Sequence, residues 1–387
     1  MMVPERPTLE RRVLASLDAG RIPVVLGGCG TGRTSLLLRV QQQLDQQQGA
    51  TPRAQYLDFA SAATTPERCL AAVSTVSRLK PSGRPMVDGP SSARSAFDLL
   101  LSYLDHATTA DGGRATFLID EVLDLRTFEN FPGLRHVLRD TVARFASSPS
   151  RFVLASRFTA RTHRLLRDAP ARFEVVHMPA LVPAEVQALA VRFNGMHRDL
   201  GSHAAAISAL AAGRAAYAHL LLETLASQGP SVDPIAALAA LCAPDGRLTA
   251  RARESYEFRL HRARGYGALK AILSVLADAE PLNLTEISQQ LRRTPGSTKD
   301  YLSWLEDVDL VSVAGKKYSF DDPLMRLYVR LHARGVPPSD TDVVREVRAY
   351  AASRLQQVPA AGAQPVAVAA ERGAETGGPS SGIIEID

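Results

Sequence analysis

The most informative part of the sequence is a run of eight residues, Gly27-Gly28-Cys29-Gly30-Thr31-Gly32-Arg33-Thr34. It matches the phosphate-loop pattern G-x-x-x-x-G-K-[S/T] at every fixed position except Arg33, which stands where the pattern has lysine. A short apolar run, Ile22-Pro23-Val24-Val25-Leu26, precedes it, and a helical spacing of apolar residues begins at Thr34. The stretch therefore predicts a glycine-rich loop between a buried strand and a helix.

The composition of this loop suits an anion. Glycines let the backbone curl so that several N–H groups point at phosphate oxygens. The helix that follows adds the positive end of its dipole. The alternative is a glycine-rich turn that binds nothing. We expect a nucleotide in contact with Gly27, Gly28, Cys29, Gly30, Thr31, Gly32, Arg33, Thr34 and Ser35.

Arg33 leaves two interpretations open. A lysine ammonium is a compact charge, whereas a guanidinium is planar and larger, so the two fill the space beside phosphates differently. Arg33 could be a tolerated replacement that keeps nucleotide binding and slows turnover. Alternatively, hydrolysis is lost and the domain only senses nucleotide.

Two carboxylates follow a second apolar strand, Thr116-Phe117-Leu118-Ile119. Asp120, a hard oxygen ligand, would hold Mg²⁺ through water, and the hydroxyl of Thr34 would be a further Mg²⁺ ligand. Glu121 would act as a catalytic residue that orients or deprotonates the attacking water. The alternative is a strand that ends in a solvated acidic turn.

A third strand end, Leu154-Ala155-Ser156-Arg157, offers further candidates. We predict that this strand lies between the strand of the phosphate loop and the Glu121 strand, near the γ-phosphate. Ser156 could then report nucleotide state, and Arg157 could stabilise the transferred charge as a catalytic residue, in cis or across a subunit. Arg214, in a later helical region, could reach back to phosphate. The alternatives are an ordinary strand end and surface arginines.

Apolar strands alternate with helical patterns through the first part of the chain. This alternation predicts an α/β fold in which a parallel P-loop NTPase sheet is covered by helices. Between residues 80 and 92, a stretch rich in Pro, Gly and Ser predicts a mobile loop. Strands are predicted at residues 22–26, 55–59, 115–119, 151–155 and 173–177, and helices at 8–19, 96–106 and 134–145.

After Pro183 the strands stop, and alanine-rich helices follow to about Ala243. A different pattern begins near Tyr266, where three helices and a β-hairpin with a turn at Gly315 give the layout of a winged helix. Its helices are predicted at residues 268–277, 284–291 and 297–305, and its strands at 310–313 and 317–320.

The composition excludes several classes of protein. The 387 residues carry a net charge of +5, which permits nucleic-acid contact without arguing for it. The three cysteines are scattered, which indicates reduced thiols rather than disulfides or a metal cluster. No window approaches the roughly 20 apolar residues that cross a bilayer, and the first residues lack the apolar core of a secretory signal. We expect a cytoplasmic protein without membrane contact.

The phosphate loop, Asp120-Glu121, Leu154–Arg157 and the helices after them resemble the AAA+/STAND class of P-loop ATPases. Within that class the chain is similar to the archaeal-type ATPase family, whose members follow the ATPase core with a helical lid and a winged helix. The resemblance covers about residues 8–335 and implies ATP and Mg²⁺ as ligands. The later segments that carry it are Met178–Val186, Leu284–Ser288, Tyr301–Leu305 and Tyr318–Leu324.

The sequence patterns divide the chain into five predicted segments, of which the last is the C-terminal tail. The segment 359–382 has almost no large apolar residue and is expected to be disordered. The last five residues, Ile383–Asp387, alternate apolar and acidic side chains, so they could add a strand to a partner's sheet or simply fray. The predicted segments are an ATPase core at 1–180, a helical lid at 181–260, a winged helix at 261–335, a C-terminal helix at 336–358 and a disordered tail at 359–387.

These observations favour an ATP-binding protein, a slow ATPase that acts as a nucleotide-dependent switch for a partner. A non-catalytic nucleotide-binding scaffold and a DNA-associated regulator are the alternatives. Between Arg262 and Arg334 the chain has eleven basic and nine acidic residues, which favours a structural or protein-interaction role for the winged helix. A protein partner could bind the winged helix or the C-terminal peptide, and the chain could form oligomers.

Overall fold

The structure, a computed structural model, describes residues 5–46, 52–81, 90–193, 200–228, 233–261, 265–356 and 384–385. It divides into two compact units. One unit comprises Arg6–Met178 with Ser381–Asp387, and the other comprises Met1–Glu5 with Pro179–Ser380. No helix among the described residues is long and apolar enough to span a membrane.

Five parallel strands form the centre of the first unit, and all five strand predictions are confirmed with ends shifted by at most one residue. The strands are β1 (Ile22–Leu26), β2 (Ala54–Asp58), β3 (Thr116–Asp120), β4 (Arg151–Ser156) and β5 (Phe173–His177). Their order across the sheet is β2-β3-β4-β1-β5.

Helices connect these strands and cover both faces of the sheet, as the alternating pattern predicted. A 3₁₀ helix, Val122–Asn130, directly follows β3. The α-helices of this unit are α1 (Pro7–Asp18), α2 (Arg33–Gln46), α3 (Phe59–Ala62), α4 (Pro66–Thr75), α5 (Ala93–His106), α6 (Val137–Ser147) and α7 (Thr159–Leu166).

Each face of the sheet has its own apolar core. On one face, α1 and α2 bury Val13, Leu37 and Val40 against β1 and β4. On the other face, Phe117 of β3 stacks on Phe152 of β4, which in turn stacks on a phenylalanine of α6. Buried side chains of this size each contribute about 1.5–3 kcal/mol to folding, so the sheet is held firmly from both sides.

The strand order confirms the predicted position of β4. Leu154 in β4 is in register with Val24 of β1 on one side and with Ile119 of β3 on the other. Because all three strands run in parallel, their carboxyl ends meet at one edge of the sheet. The residues that follow β1, β3 and β4 are therefore brought together there.

The second unit is built mainly from helices. The predicted helices and hairpin strands after residue 266 are present, and a further short strand, Leu282–Asn283, pairs antiparallel with the second strand of the hairpin. The helices are α8 (Pro183–Ala190), α9 (Ala204–Leu210), α10 (Ala215–Ser227), α11 (Pro234–Leu241), α12 (Arg247–His261), α13 (Tyr266–Ala279), α14 (Leu284–Leu291), α15 (Pro295–Asp307), α16 (Pro323–His332) and α17 (Asp340–Leu355). The strands are β6 (Leu282–Asn283), β7 (Val311–Ala314) and β8 (Lys317–Phe320).

One apolar cluster joins the early and late helices of this unit. It includes Ile207 of α9 and Leu221 of α10 together with Leu327 of α16 and Val347 of α17. The alanine-rich helices before about Ala243 and the helices after Tyr266, which differ in sequence pattern, therefore share one apolar core. Helix α12, which falls in the predicted helical lid although its bounds were not predicted, contributes Leu248 to the same cluster.

The last described residues return to the first unit. Ile384–Glu385 forms β9, which pairs in parallel with β5 at the edge of the central sheet. The predicted strand is thus present, but the sheet that accepts it belongs to the same chain rather than to a partner. The predicted disordered segment 359–382 lies outside the described residues, and so do residues 82–89 of the predicted mobile loop.

Gly213, between α9 and α10, offers a test of this packing. Its φ of +65° lies in the left-handed region, and a Cβ there would come within 2.5 Å of the Cβ of Ala180. Gly213→Ala should therefore lower the free energy of unfolding by about 2–4 kcal/mol, from backbone strain and overpacking together. Urea unfolding followed by circular dichroism measures the change.

Gly267→Ala, in α13, is the matched control, because a Cβ there would meet no atom of the described residues within 4 Å apart from its own helix backbone and chain neighbours. That variant should be as stable as the native chain or up to about 1 kcal/mol more stable, since alanine favours a helix over glycine. Equal stability of the two variants would show that the Gly213–Ala180 contact imposes no constraint.

Candidate functional site

The loop between β1 and α2 has the tight turns that its glycines predicted. Gly30 and Gly32 have φ values of +81° and +99°, which side-chain-bearing residues adopt only at a cost. At Gly27 a Cβ would lie 2.8 Å from both the Cβ of Met178 and the Oγ1 of Thr31. The loop therefore closes on itself and on the end of β5 as only glycine allows.

The two predicted Mg²⁺ ligands lie side by side. The hydroxyl of Thr34, in the first turn of α2, donates a hydrogen bond of 2.6 Å to Oδ2 of Asp120 at the end of β3. The other carboxylate oxygen, Oδ1, accepts the backbone N–H of Glu121 at 3.0 Å. A hydroxyl and a carboxylate beside a phosphate loop are the hard oxygen donors that Mg²⁺ takes, so these residues fit a Mg²⁺–nucleotide complex.

Tyr56 belongs to this group, although the sequence analysis did not single it out. Its hydroxyl donates to Oδ2 of Asp120 at 3.1 Å from the neighbouring strand β2. Burial raises the pKa of Tyr56, and the negative charge of Asp120 raises it further, so the phenol stays neutral and donates. Tyr56 therefore orients the carboxylate that we expect to hold Mg²⁺.

Glu121 is buried and has a strained backbone. Its φ of +53° lies in the left-handed region, where a non-glycine residue costs about 1–3 kcal/mol. Burial raises the pKa of its carboxyl group, whereas the positive charges of Arg33 and Arg157 lower it. Oε1 accepts a hydrogen bond from Nη2 of Arg33. Oε2 accepts the backbone N–H of Arg157 at 3.1 Å and faces Nε of the same residue at 3.3 Å.

The guanidinium of Arg33 turns back into the loop. Its Nη1 donates to the carbonyl oxygens of Gly27 and Gly28, the latter at 2.8 Å. Its Nη2 binds Glu121, and its buried Nε–H has no hydrogen-bond acceptor among the residues that the structure describes. Arg33 therefore keeps the loop carbonyls and Glu121 together and leaves one donor for an added acceptor such as a phosphate oxygen.

The end of β4 supplies the predicted Ser156 and Arg157. Ser156 is fully buried, is in register with Leu26 at the end of β1, and accepts the backbone N–H of Phe158 at 3.1 Å. Arg157 reaches Glu121 and also donates from Nη2 to Oδ2 of Asp124 at 2.8 Å. The structure thus brings Arg157 to Glu121, as the predicted strand order required.

The other predicted residues are placed differently. Cys29 and Ser35 are half-buried, in the loop and in the first turn of α2. Arg214 lies in the second unit, where its Nη2 donates to the carbonyl oxygen and to Oδ2 of Asp321, at 3.2 and 3.0 Å. Its Nε faces Oδ2 of Asp322 at 3.5 Å. A nucleotide contact of Arg214 stays a prediction.

Comparison with solved structures fits this arrangement. A Walker-type ATPase of Pyrococcus abyssi superposes with a TM-score of 0.63 and 16% identity, covering 85% of this chain and 96% of that chain. The chain has a P-loop NTPase fold. No family model matches the sequence, and no curated protein is similar to it at a significant level.

Two further solved structures align over most of their length. The ORC1 protein of Aeropyrum pernix in complex with DNA has a TM-score of 0.44 and 16% identity, covering 85% of this chain and 92% of that chain. The RuvB Holliday junction branch migration motor of Thermotoga maritima has a TM-score of 0.41 and 13% identity, covering 82% and 92%.

Tyr56→Phe tests the role of the tyrosine hydroxyl. Without this donor, Asp120 is less well oriented, so Mg²⁺-dependent nucleotide affinity should fall about tenfold, as for other partners of metal ligands. A titration of Mg²⁺ at fixed nucleotide concentration measures the change.

Tyr103→Phe is the control for this variant. Its hydroxyl also bonds to β2, at 3.1 Å from Oε1 of Gln55, but it does not contact Asp120. Mg²⁺ dependence should be unchanged there. An unchanged Mg²⁺ dependence in Tyr56→Phe would show that the hydroxyl of Tyr56 does not orient the Mg²⁺ ligand Asp120.

Proposed function

We propose that the chain binds ATP with Mg²⁺ at the loop between β1 and α2 and acts as a nucleotide-dependent switch with slow hydrolysis. The observation that carries the proposal is the 2.6 Å hydrogen bond between Thr34 and Asp120 at the mouth of the loop. It pairs two hard oxygen ligands next to the N-terminus of a helix, where phosphate is favoured. The P-loop NTPase fold supports the same conclusion.

Different residues of the site would bind the nucleotide and catalyse its hydrolysis. Backbone N–H groups of residues 27–32 and the N-terminus of α2 would hold the phosphates. Thr34 and Asp120 would hold Mg²⁺, which neutralises phosphate charge when bound. Glu121 would orient or deprotonate the attacking water, and Arg157 would stabilise the charge that develops on the transferred group.

The contacts of Glu121 favour slow rather than fast hydrolysis. One carboxylate oxygen faces Arg33 and the other faces Arg157. A general base must be within reach of the proton that it takes, and a carboxylate held on both sides is less available for that task. The protein would therefore remain in one nucleotide state for long periods, as a switch does.

A non-catalytic scaffold is the second candidate, and the same ion pair favours it. If Arg33 never releases Glu121, ATP binds without turnover and serves only to stabilise the fold by mass action. Steady-state phosphate release, compared between the native chain and Glu121→Gln, separates the two. Equal and negligible release from both chains, with ATP still bound, would favour the scaffold.

We further propose that the chain belongs to the AAA+/STAND class, acts in the cytoplasm and has residues 261–335 as a winged helix. The order of three helices and a small antiparallel sheet supports that assignment. Helix α15 has one basic residue, Lys299, against three acidic residues, Asp300, Glu306 and Asp307. We therefore favour contact with a protein partner over sequence-specific reading of DNA.

Equilibrium binding of a fluorescent ATP analogue tests nucleotide binding directly. The native chain should bind at least about tenfold more tightly with Mg²⁺ than with EDTA, because the metal links phosphate to Asp120. Asp120→Asn should lose most of that gain, since an amide is a poorer ligand than a carboxylate.

Asp98→Asn is the control, because Asp98 is exposed and pairs with Arg94 within α5. It should bind as the native chain does. Nucleotide binding that is absent from the native chain, or that is indifferent to Mg²⁺ and to Asp120, would contradict the proposal.

A further inference from the structure

The ion pair between Arg33 and Glu121 joins the residue that replaces the usual lysine to the expected catalytic carboxylate. Both side chains are largely shielded from water, with 8% and 10% of their surface exposed. Arg33 also holds the carbonyl of Gly28 at 2.8 Å, so its guanidinium fills part of the loop. The same cation therefore lies within reach of both Glu121 and the place where a terminal phosphate would enter.

Arg33 is suited to bind two different anions in turn. A guanidinium presents five N–H donors in a rigid fork, which fits carboxylate and phosphate alike. Its Nε–H lacks an acceptor among the described residues, so an incoming phosphate oxygen would gain a donor. A terminal phosphate would then compete with Glu121 for Arg33.

Glu121 would stay in place if Arg33 left it. Its Oε2 is bound by the backbone N–H of Arg157 at 3.1 Å, and this contact does not involve Arg33. Arg157 is itself anchored by Asp124 at 2.8 Å. Loss of the Arg33 contact would therefore free Oε1 alone, while Oε2 keeps the carboxylate oriented.

We propose that Arg33 is a positioning residue that exchanges Glu121 for the terminal phosphate of ATP, so that ATP, and not ADP, releases the catalytic carboxylate. The inference rests on the proposed nucleotide binding and adds to it a means of distinguishing the two nucleotides. In the ADP-bound chain, Arg33 keeps its bond to Glu121. In the ATP-bound chain, Arg33 binds the γ-phosphate and Oε1 of Glu121 becomes free for water.

Competition predicts how the removal of Glu121 changes binding. Glu121→Gln removes the competing charge, so a non-hydrolysable ATP analogue should bind about tenfold more tightly, whereas ADP should change by less than about threefold. Glu121→Gln would also remove the repulsion between the Glu121 carboxylate and the γ-phosphate, but that effect would not depend on Arg33. In an Arg33→Gln background, Glu121→Gln should therefore leave the ratio of the two affinities unchanged.

The test is isothermal titration of the ATP analogue and of ADP into four chains. These are the native chain, Glu121→Gln, Arg33→Gln and the double variant. Arg39→Gln is the matched control, because Arg39 lies on the same helix but pairs with Glu10 at 3.3 Å outside the loop. Its affinity ratio should equal that of the native chain. Thermal melting of each chain establishes that the variants are folded, and Arg33→Met, which keeps the length of the side chain without its charge, replaces Arg33→Gln if that variant does not fold.

Two results would overturn the proposal in distinguishable ways. If Glu121→Gln changes both nucleotides equally, or changes their ratio just as much without Arg33, the exchange is wrong while nucleotide binding stands. If the native chain binds neither nucleotide, the proposed function fails and the exchange fails with it.

Discussion

The parallel alignment of β3, β4 and β1 sets the geometry of the candidate site. It places Asp120, Ser156 and the phosphate loop at the same edge of the sheet, although they are far apart in sequence. The aromatic stack on one face and the α1–α2 layer on the other keep these strand ends in register. The hydrogen bond between Thr34 and Asp120 and the ion pair between Arg33 and Glu121 are consequences of that alignment.

Much of this arrangement could be predicted from the sequence because it depends on local patterns. Five-residue stretches rich in apolar side chains located all five strands, and the glycines of residues 27–32 located the loop. Glu121 and Arg157 could be placed near each other because the ends of parallel strands converge. The apolar pattern that predicts a strand was strongest where the strand is buried on both faces of the sheet.

The contacts that the sequence analysis missed depend on neighbours in space. Tyr56 reaches Asp120 only because β2 lies beside β3, and nothing in the sequence states which strand is adjacent. The bond from Arg33 to Glu121 depends on a side-chain conformation that the loop pattern does not specify. The bounds of helix α12 within the predicted lid were missed for another reason: its buried Leu248, Ala252 and Tyr256 are spaced by four residues among many charged ones, so the apolar face is narrow.

The pairing of β9 with β5 makes the first unit discontinuous in sequence. The chain leaves the sheet after β5, forms the helices of the second unit, and contributes a last strand to the edge that it had left. An uncovered β5 would present unpaired N–H and C=O groups, which are a template for pairing between chains. A fragment that stops at Met178 would keep residues 27–35, Asp120, Glu121 and Arg157 but would leave this edge of the sheet unpaired, because the strand that covers the edge comes from a separate segment of the sequence.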